Sequence, residues 1–87
     1  MPVDLNEFEA RAIVYHRKST AVAEAARDIA REIKRHRNRA KEAVIAMAEA
    51  DENFKEYYEE QSEKEKEAVT IWEDLARAFI GLYLEEA

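Results

Sequence analysis

Apolar side chains recur every seven residues along the chain. One row runs Leu5, Ala12, Ser19, Ala26, Ile33, Ala40, Met47, Phe54, Gln61, Ala68, Leu75 and Leu82. A second row, offset by three, runs Phe8, Tyr15, Val22, Ile29 and His36. Two rows related in this way form one stripe on an α-helix, the seam by which helices pack into bundles and coiled coils. Beyond residue 40 the second row moves by one, to Val44, Asp51, Tyr58, Glu65, Trp72 and Phe79. Such a phase shift marks altered supercoiling or a break in the helix.

The start of the first helix is well signalled. Asp4 is a good N-cap, Glu7 follows at the capping-box position, and Val3 and Phe8 occupy the positions of a hydrophobic staple. Its end is less clear. Residues 36–39 sit at the phase shift. Residues 50–53 offer Asp51 or Asn53 as a cap, with Glu56 three beyond Asn53. Residues 59–67 contain no apolar side chain, and Ser62 with Glu65 reads as a further capping box. None of the three contains the glycine that commonly ends a helix.

Charge chooses between them. Residues 27–41 carry Arg27, Arg31, Lys34, Arg35, Arg37, Arg39 and Lys41 against Asp28 and Glu32, whereas residues 49–67 carry nine acids against three lysines. A turn at 50–53 sets Arg35, Arg37, Arg39 and Lys41 opposite 62–68, where Glu63, Glu65 and Glu67 lie. Each exposed pair is worth only ~0.2–1 kcal/mol, so the match reports register more than stability. The pattern therefore predicts a single all-α domain over 1–87: a long antiparallel helical hairpin, with a helix over about 4–50, a turn at about 50–53 and a second helix over about 53–85.

This hairpin is lopsided. A helix over 4–50 would reach ~70 Å and its partner only ~50 Å, leaving Leu5, Phe8, Ala12 and Tyr15 uncovered. An apolar face of that size marks an interaction site. The leading expectation is self-association through Leu5, Phe8, Ala12, Tyr15, Val22 and Ile29, most simply as a dimer that completes a helical bundle. On that reading Phe8→Asp weakens the oligomer more than it unfolds the chain. The alternative is a break near Ser19–Thr20 and a monomeric three-helix bundle. The seven-residue pattern, unbroken across Ser19, favours the continuous helix.

Composition agrees with helices throughout. The chain has one glycine (Gly81), one proline (Pro2) and no cysteine among 87 residues, so disulfides and thiolate metal sites are excluded. Too few turn residues remain for a sheet. The longest uncharged run, 78–84, is far short of the ~20 residues a spanning helix needs. The acidic stretch 1–10 does not read as a secretory signal. With no cysteine, a cytoplasmic location is expected. The Ala/Glu/Arg/Lys filling also suits a designed helical protein, although glycine-free turns and polar seam residues (Ser19, His36, Asp51, Gln61, Glu65) run against idealised design.

Candidate chemistry is sparse. Glu32 and His36 lie four apart on one face, but bundle metal sites use Glu-x-x-His, and His16 would lie ~30 Å away along a continuous helix. Ser19 and Ser62 have no nucleophile-elbow sequence. Trp72, Leu75, Phe79, Leu82 and Tyr83 read as core. Neither an enzyme, a cofactor nor a metal is expected. Two binding readings stand behind self-association. Arg27, Arg31, Lys34 and Lys41 could track the phosphates of a nucleic acid, though no aromatic is interleaved for base stacking. Glu56, Glu59, Glu60 and Glu63, flanked by Tyr57 and Tyr58, could instead occupy and inhibit a basic partner protein.

Overall fold

A computed structural model describes residues 3–15 and 17–84. The architecture is all-α, a helical bundle in which a long antiparallel hairpin is capped over one half by a shorter third helix. Helix α1 covers Leu5–Tyr15, α2 Thr20–Glu49 and α3 Glu52–Phe79, and a π-helical turn over Ile80–Leu84 extends α3. The molecule is a rod, 53 × 17 × 16 Å. His16 and residue 85, the expected end of the last helix, lie outside the described residues.

The expected turn at 50–53 is where the hairpin bends. Ala50 closes α2 in extended backbone, and Asp51 occupies the N-cap position of α3 without a side-chain cap bond. Of the pairs that expectation names, Arg39 with Glu65 forms, at 4.0 Å, and Glu65 also meets His36 at 2.5 Å; Arg37 reaches beyond 62–68 to Glu73 at 3.4 Å. Arg35 turns instead to Glu32 on its own helix. Ser62 starts no helix; it is buried within α3. With the chain already turned at Asp51, a cap eleven residues further on is redundant, and a small side chain is easily enclosed between helices.

The continuous helix over 4–50 is not formed. The chain breaks before Ser19, and α1 folds back. Ser19 adopts extended backbone (φ −155°, ψ 111°) and its hydroxyl accepts from the Val22 N–H at 3.3 Å. The amides of Lys18 and Ser19 both donate to the Tyr15 carbonyl at 2.8 Å, which closes the end of α1. Orphaned groups at both new helix ends are thus partnered. The energetic reason for the bend lies in burial. An overhanging helix would leave Leu5, Phe8 and Ala12 in water; folded back, all three are buried.

Helix α1 runs antiparallel to α2 and alongside the end of α3. Glu9 meets Lys34, Arg37 donates to the Val3 carbonyl, and Phe8 stacks edge-on against Phe79 at 6.3 Å. The core of the molecule lies at this end: Val3, Leu5, Phe8, Ala12, Ala26, Ala30, Ile33, Ala76 and Leu84, with Tyr15, Val22, Ile29, Trp72, Phe79 and Ile80 packed around them. Asp4 caps α1, accepting from the amides of Asn6 and Glu7 at 3.0 and 3.2 Å. Replacing an N-cap Asp by Ala costs about 1 kcal/mol. Asp4→Ala is accordingly expected to lower the thermal midpoint by a few degrees without altering the helical circular dichroism of the folded state.

The C-terminal apolar face is arranged differently from the sequence expectation. Leu75, Leu82 and Tyr83 are exposed, Trp72 and Phe79 are half-buried, and Ala76 and Leu84 point inward with Glu73. After the turn, the stripe of α3 takes its own phase rather than continuing that of α2. The wider π-helical turn then rotates the last residues, bringing Leu84 rather than Leu82 into the core.

Candidate functional site

The third helix covers less than half of the hairpin. At 1.5 Å per residue, α1 is about 17 Å long against about 45 Å for α2. Its start is pinned at Arg37 and Glu73. Beyond that level only α2 and α3 remain, and they bury little: over residues 38–71 only Ala43 and Ser62 are enclosed. Two helices offer each other one stripe apiece, so Ala46, Met47, Tyr58 and Val69 are only half-buried and other apolar side chains of this end face outward. Val44, Ile45, Phe54 and Tyr57 are all exposed, the last two by 57 and 56%.

A groove of 410 Å³ runs between α2 and α3 at this end. Ala43 and Ala46 line it from α2, Tyr57, Tyr58 and Gln61 from α3, and Arg39, Glu42 and Glu65 bring charges of both signs. Tyr57 and Tyr58 pack edge-to-face at 5.2 Å. Aromatic side chains above a floor of small residues, rimmed by charge, have the composition of protein interfaces.

A polar layer separates the two halves of the rod. His36 directs Nδ1 to Glu65 at 2.5 Å and Nε2 to Glu32 at 3.6 Å. Arg35 pairs with Glu32 and Arg39 with Glu65. These side chains lie where the apolar core ends, just beyond Ile33. They link α2 to α3 and fix the register of the hairpin. Among the described residues no group of three His, Cys, Asp or Glu side chains is placed to hold a metal.

No family model, curated protein or solved structure matches the chain.

The sites expected from the sequence fare unequally. Of the six self-association residues, Leu5, Phe8 and Ala12 are buried in the chain's own core and Tyr15, Val22 and Ile29 pack against it. The overhang that made them an interface is gone, because α1 turns back to cover them. The basic set is spread and largely occupied. Arg27, Arg31 and Lys34 surround one shallow pocket, but Glu9 shares it and binds Lys34, while Arg31 pairs with Asp28. Lys41 stands apart from them, exposed on the two-helix half. The acidic set is brought together: Glu56, Glu59, Glu60 and Glu63 line one exposed face of α3 with Lys64.

The tyrosine groove was only half visible in the sequence. Tyr57 and Tyr58 read as anchors beside the acidic run, yet nothing local indicated that Ala43 and Ala46 would form the opposite wall. That pairing follows from the antiparallel register. Among the described residues no helix is long and apolar enough to cross a membrane.

Proposed function

We propose that this protein is a non-enzymatic helical association module that self-assembles through its two-helix half. The observation that carries this reading is the uneven distribution of the core. One half encloses an apolar core beneath a third helix, although Ile13, Val14, Leu75, Leu82 and Tyr83 stay exposed there; the other encloses only Ala43 and Ser62 and exposes Val44, Ile45, Phe54 and Tyr57 beside an alanine–tyrosine groove. A pair of helices with apolar side chains on its outer faces is half of a four-helix bundle.

A second copy is the occupant that fits best. Twofold pairing of like surfaces requires a patch that complements itself, and this half carries both signs of charge. Arg39 and the exposed Lys41 sit on α2, whereas Glu56, Glu59, Glu60 and Glu63 sit on α3. An antiparallel partner lays its α3 against α2, so acid meets base on both sides. The resulting bundle covers the tyrosines and leaves the three-helix ends pointing away from each other.

Sedimentation velocity over a range of concentrations tests the proposal. The parent chain is expected to form a dimer that weakens with added salt. Phe54→Glu combined with Tyr57→Glu is expected to abolish it, with a change in thermal stability of no more than about 0.5 kcal/mol, since both positions are exposed. A monomer at every concentration, or a dimer indifferent to these substitutions, would overturn the proposal. A parent chain that stays monomeric but binds a basic protein through Glu56, Glu59 and Glu63 would point to the acidic face instead.

A further inference from the structure

The contacts that bury α1 have a register that a second copy can reproduce. Facing pairs of α1 and α2, Val3 with Arg37 and Glu9 with Lys34, have residue numbers that add to 40 and 43. Antiparallel helices in such a register are symmetric about residues 20–22, immediately beside the break. If α1 and α2 joined into one helix, two such helices crossing antiparallel at that point would restore every α1–α2 contact, now between copies. The α1 of each chain would lie in the groove between the other chain's α2 and α3.

The sequence satisfies the condition this exchange imposes. Leu5, Ala12, Ser19, Ala26 and Ile33 are spaced by seven throughout, so the buried faces of α1 and α2 lie on one side of an unbroken helix. Ser19, Ala23 and Ala26 would stand at the crossing, where small side chains permit close approach. The break itself holds nothing that forbids helix. Residues 16–19 are His-Arg-Lys-Ser, without glycine or proline, and the described residues include no positive φ. Against an exchanged form that buries the same core, the contacts that favour the bend are local: the Ser19 cap on Val22 and the two amides on the Tyr15 carbonyl.

We propose that α1 is an exchangeable helix, and that straightening of the break before Ser19 converts the closed monomer into a dimer in which two copies swap α1. The closed and exchanged forms contain the same core. They differ in the turn, which becomes about one turn of helix, and in tethering, which favours the closed form by an effective concentration in the millimolar range. The balance between them is therefore set by the turn residues. This dimer uses a different surface from the tyrosine groove and stands or falls separately.

Three variants test it, all in the full chain. Arg17→Ala with Lys18→Ala and Ser19→Ala removes the cap and raises helix propensity across the break. Each chain loses a cap worth roughly fivefold, so the dimer association constant is expected to rise at least tenfold. Thr20→Pro acts in the opposite direction. Position 20 is the first residue of α2, where proline is tolerated, and Ser19 already has the extended backbone that a following proline requires. Within a continuous helix the same proline costs roughly a hundredfold per chain. In a chain whose tyrosine groove is disabled by Phe54→Glu and Tyr57→Glu, Thr20→Pro alone should leave a stable monomer, and added to the triple variant it should suppress the new dimer.

Carbodiimide coupling of Glu9 to Lys34 identifies the surface. In a mixture of isotope-labelled and unlabelled chains, unfolded together and refolded, the exchanged dimer yields coupled peptides of mixed label. The closed monomer yields like-labelled peptides only. Absence of a dimer in the triple variant, survival of that dimer with Thr20→Pro, or a dimer with only like-labelled peptides would each overturn the exchange. Carrying Phe54→Glu and Tyr57→Glu in the same background leaves this readout intact, so failure of one interface is distinguishable from failure of the other.

Discussion

Phe8→Asp is expected to unfold the monomer rather than release it from an oligomer. Phe8 is 1% exposed and is one of the two largest fully buried side chains, with Ile33. It touches the Phe79 ring edge-on and lies within the cluster that joins α1 to α2 and α3. Truncating a buried phenylalanine costs about 3–5 kcal/mol, and a carboxylate placed there adds the penalty of an unpaired charge. A chain of this length has about 4–13 kcal/mol of stability in total. The substitution removes most or all of it. Circular dichroism with urea titration is the measurement: the midpoint should move toward zero denaturant, and the loss should not depend on protein concentration. A variant that keeps the parent's midpoint but sediments as a smaller species would show that Phe8 lies in an intermolecular contact.

Glu73→Ala is expected to cost about 2–3 kcal/mol. Glu73 is a buried carboxylate in α3, 8% exposed. Its Oε2 accepts the Val3 N–H at 2.6 Å and lies 3.4 Å from the Arg37 guanidinium, which in turn donates to the Val3 carbonyl at 3.1 Å. Three elements are thereby tied at the start of α1. Without the carboxylate, the Val3 amide loses its acceptor beside the core and Arg37 loses its counter-charge. The Arg37 side chain remains about one-third exposed, which keeps the cost below that of a wholly enclosed pair. A double-mutant cycle with Arg37→Ala separates the contributions. A coupling energy near zero would mean that the two side chains act independently. Hydrogen exchange offers a second view, since Glu73→Ala should loosen α1 before the hairpin.

These two side chains illustrate what could and could not be read from the amino acids in order. Phe8 was legible as a seam residue from its spacing with Tyr15, Val22 and Ile29. Its partner was not, because spacing shows which face is apolar and never what covers it. Glu73 gave no local signal at all. One acid among many in an acidic chain is ordinary, and only the return of residue 3 to a point seventy positions later makes it a tether. The polar residues of the seam are more instructive. Ser19 caps α2 at the break, Asp51 stands at the hairpin turn, and His36 with Glu65 forms the layer that ends the core. These interruptions of the apolar pattern coincide with a helix break, a turn or the end of the core, whereas Gln61 interrupts the row within α3 and lines the groove. The groove at Tyr57 and Tyr58 was half readable for the same reason: the aromatic wall is local, whereas the alanine wall belongs to another helix.

Helical periodicity, the cap at Asp4, the turn near residue 51 and the meeting of the basic and acidic blocks at Arg39 and Glu65 were determined by the order of amino acids alone. They depend on neighbours three, four or seven positions apart, or on charge blocks long enough to tolerate an error of a residue or two. Whether the first stripe continued through Ser19 or doubled back was decided only in three dimensions. The turn and the straight helix differ locally by a few hydrogen bonds that either conformation can satisfy. Enclosing Leu5, Phe8 and Ala12 against α2 and α3 tips that near-balance, because apolar area withdrawn from water counts over the whole molecule, at about 25 cal/mol per Å².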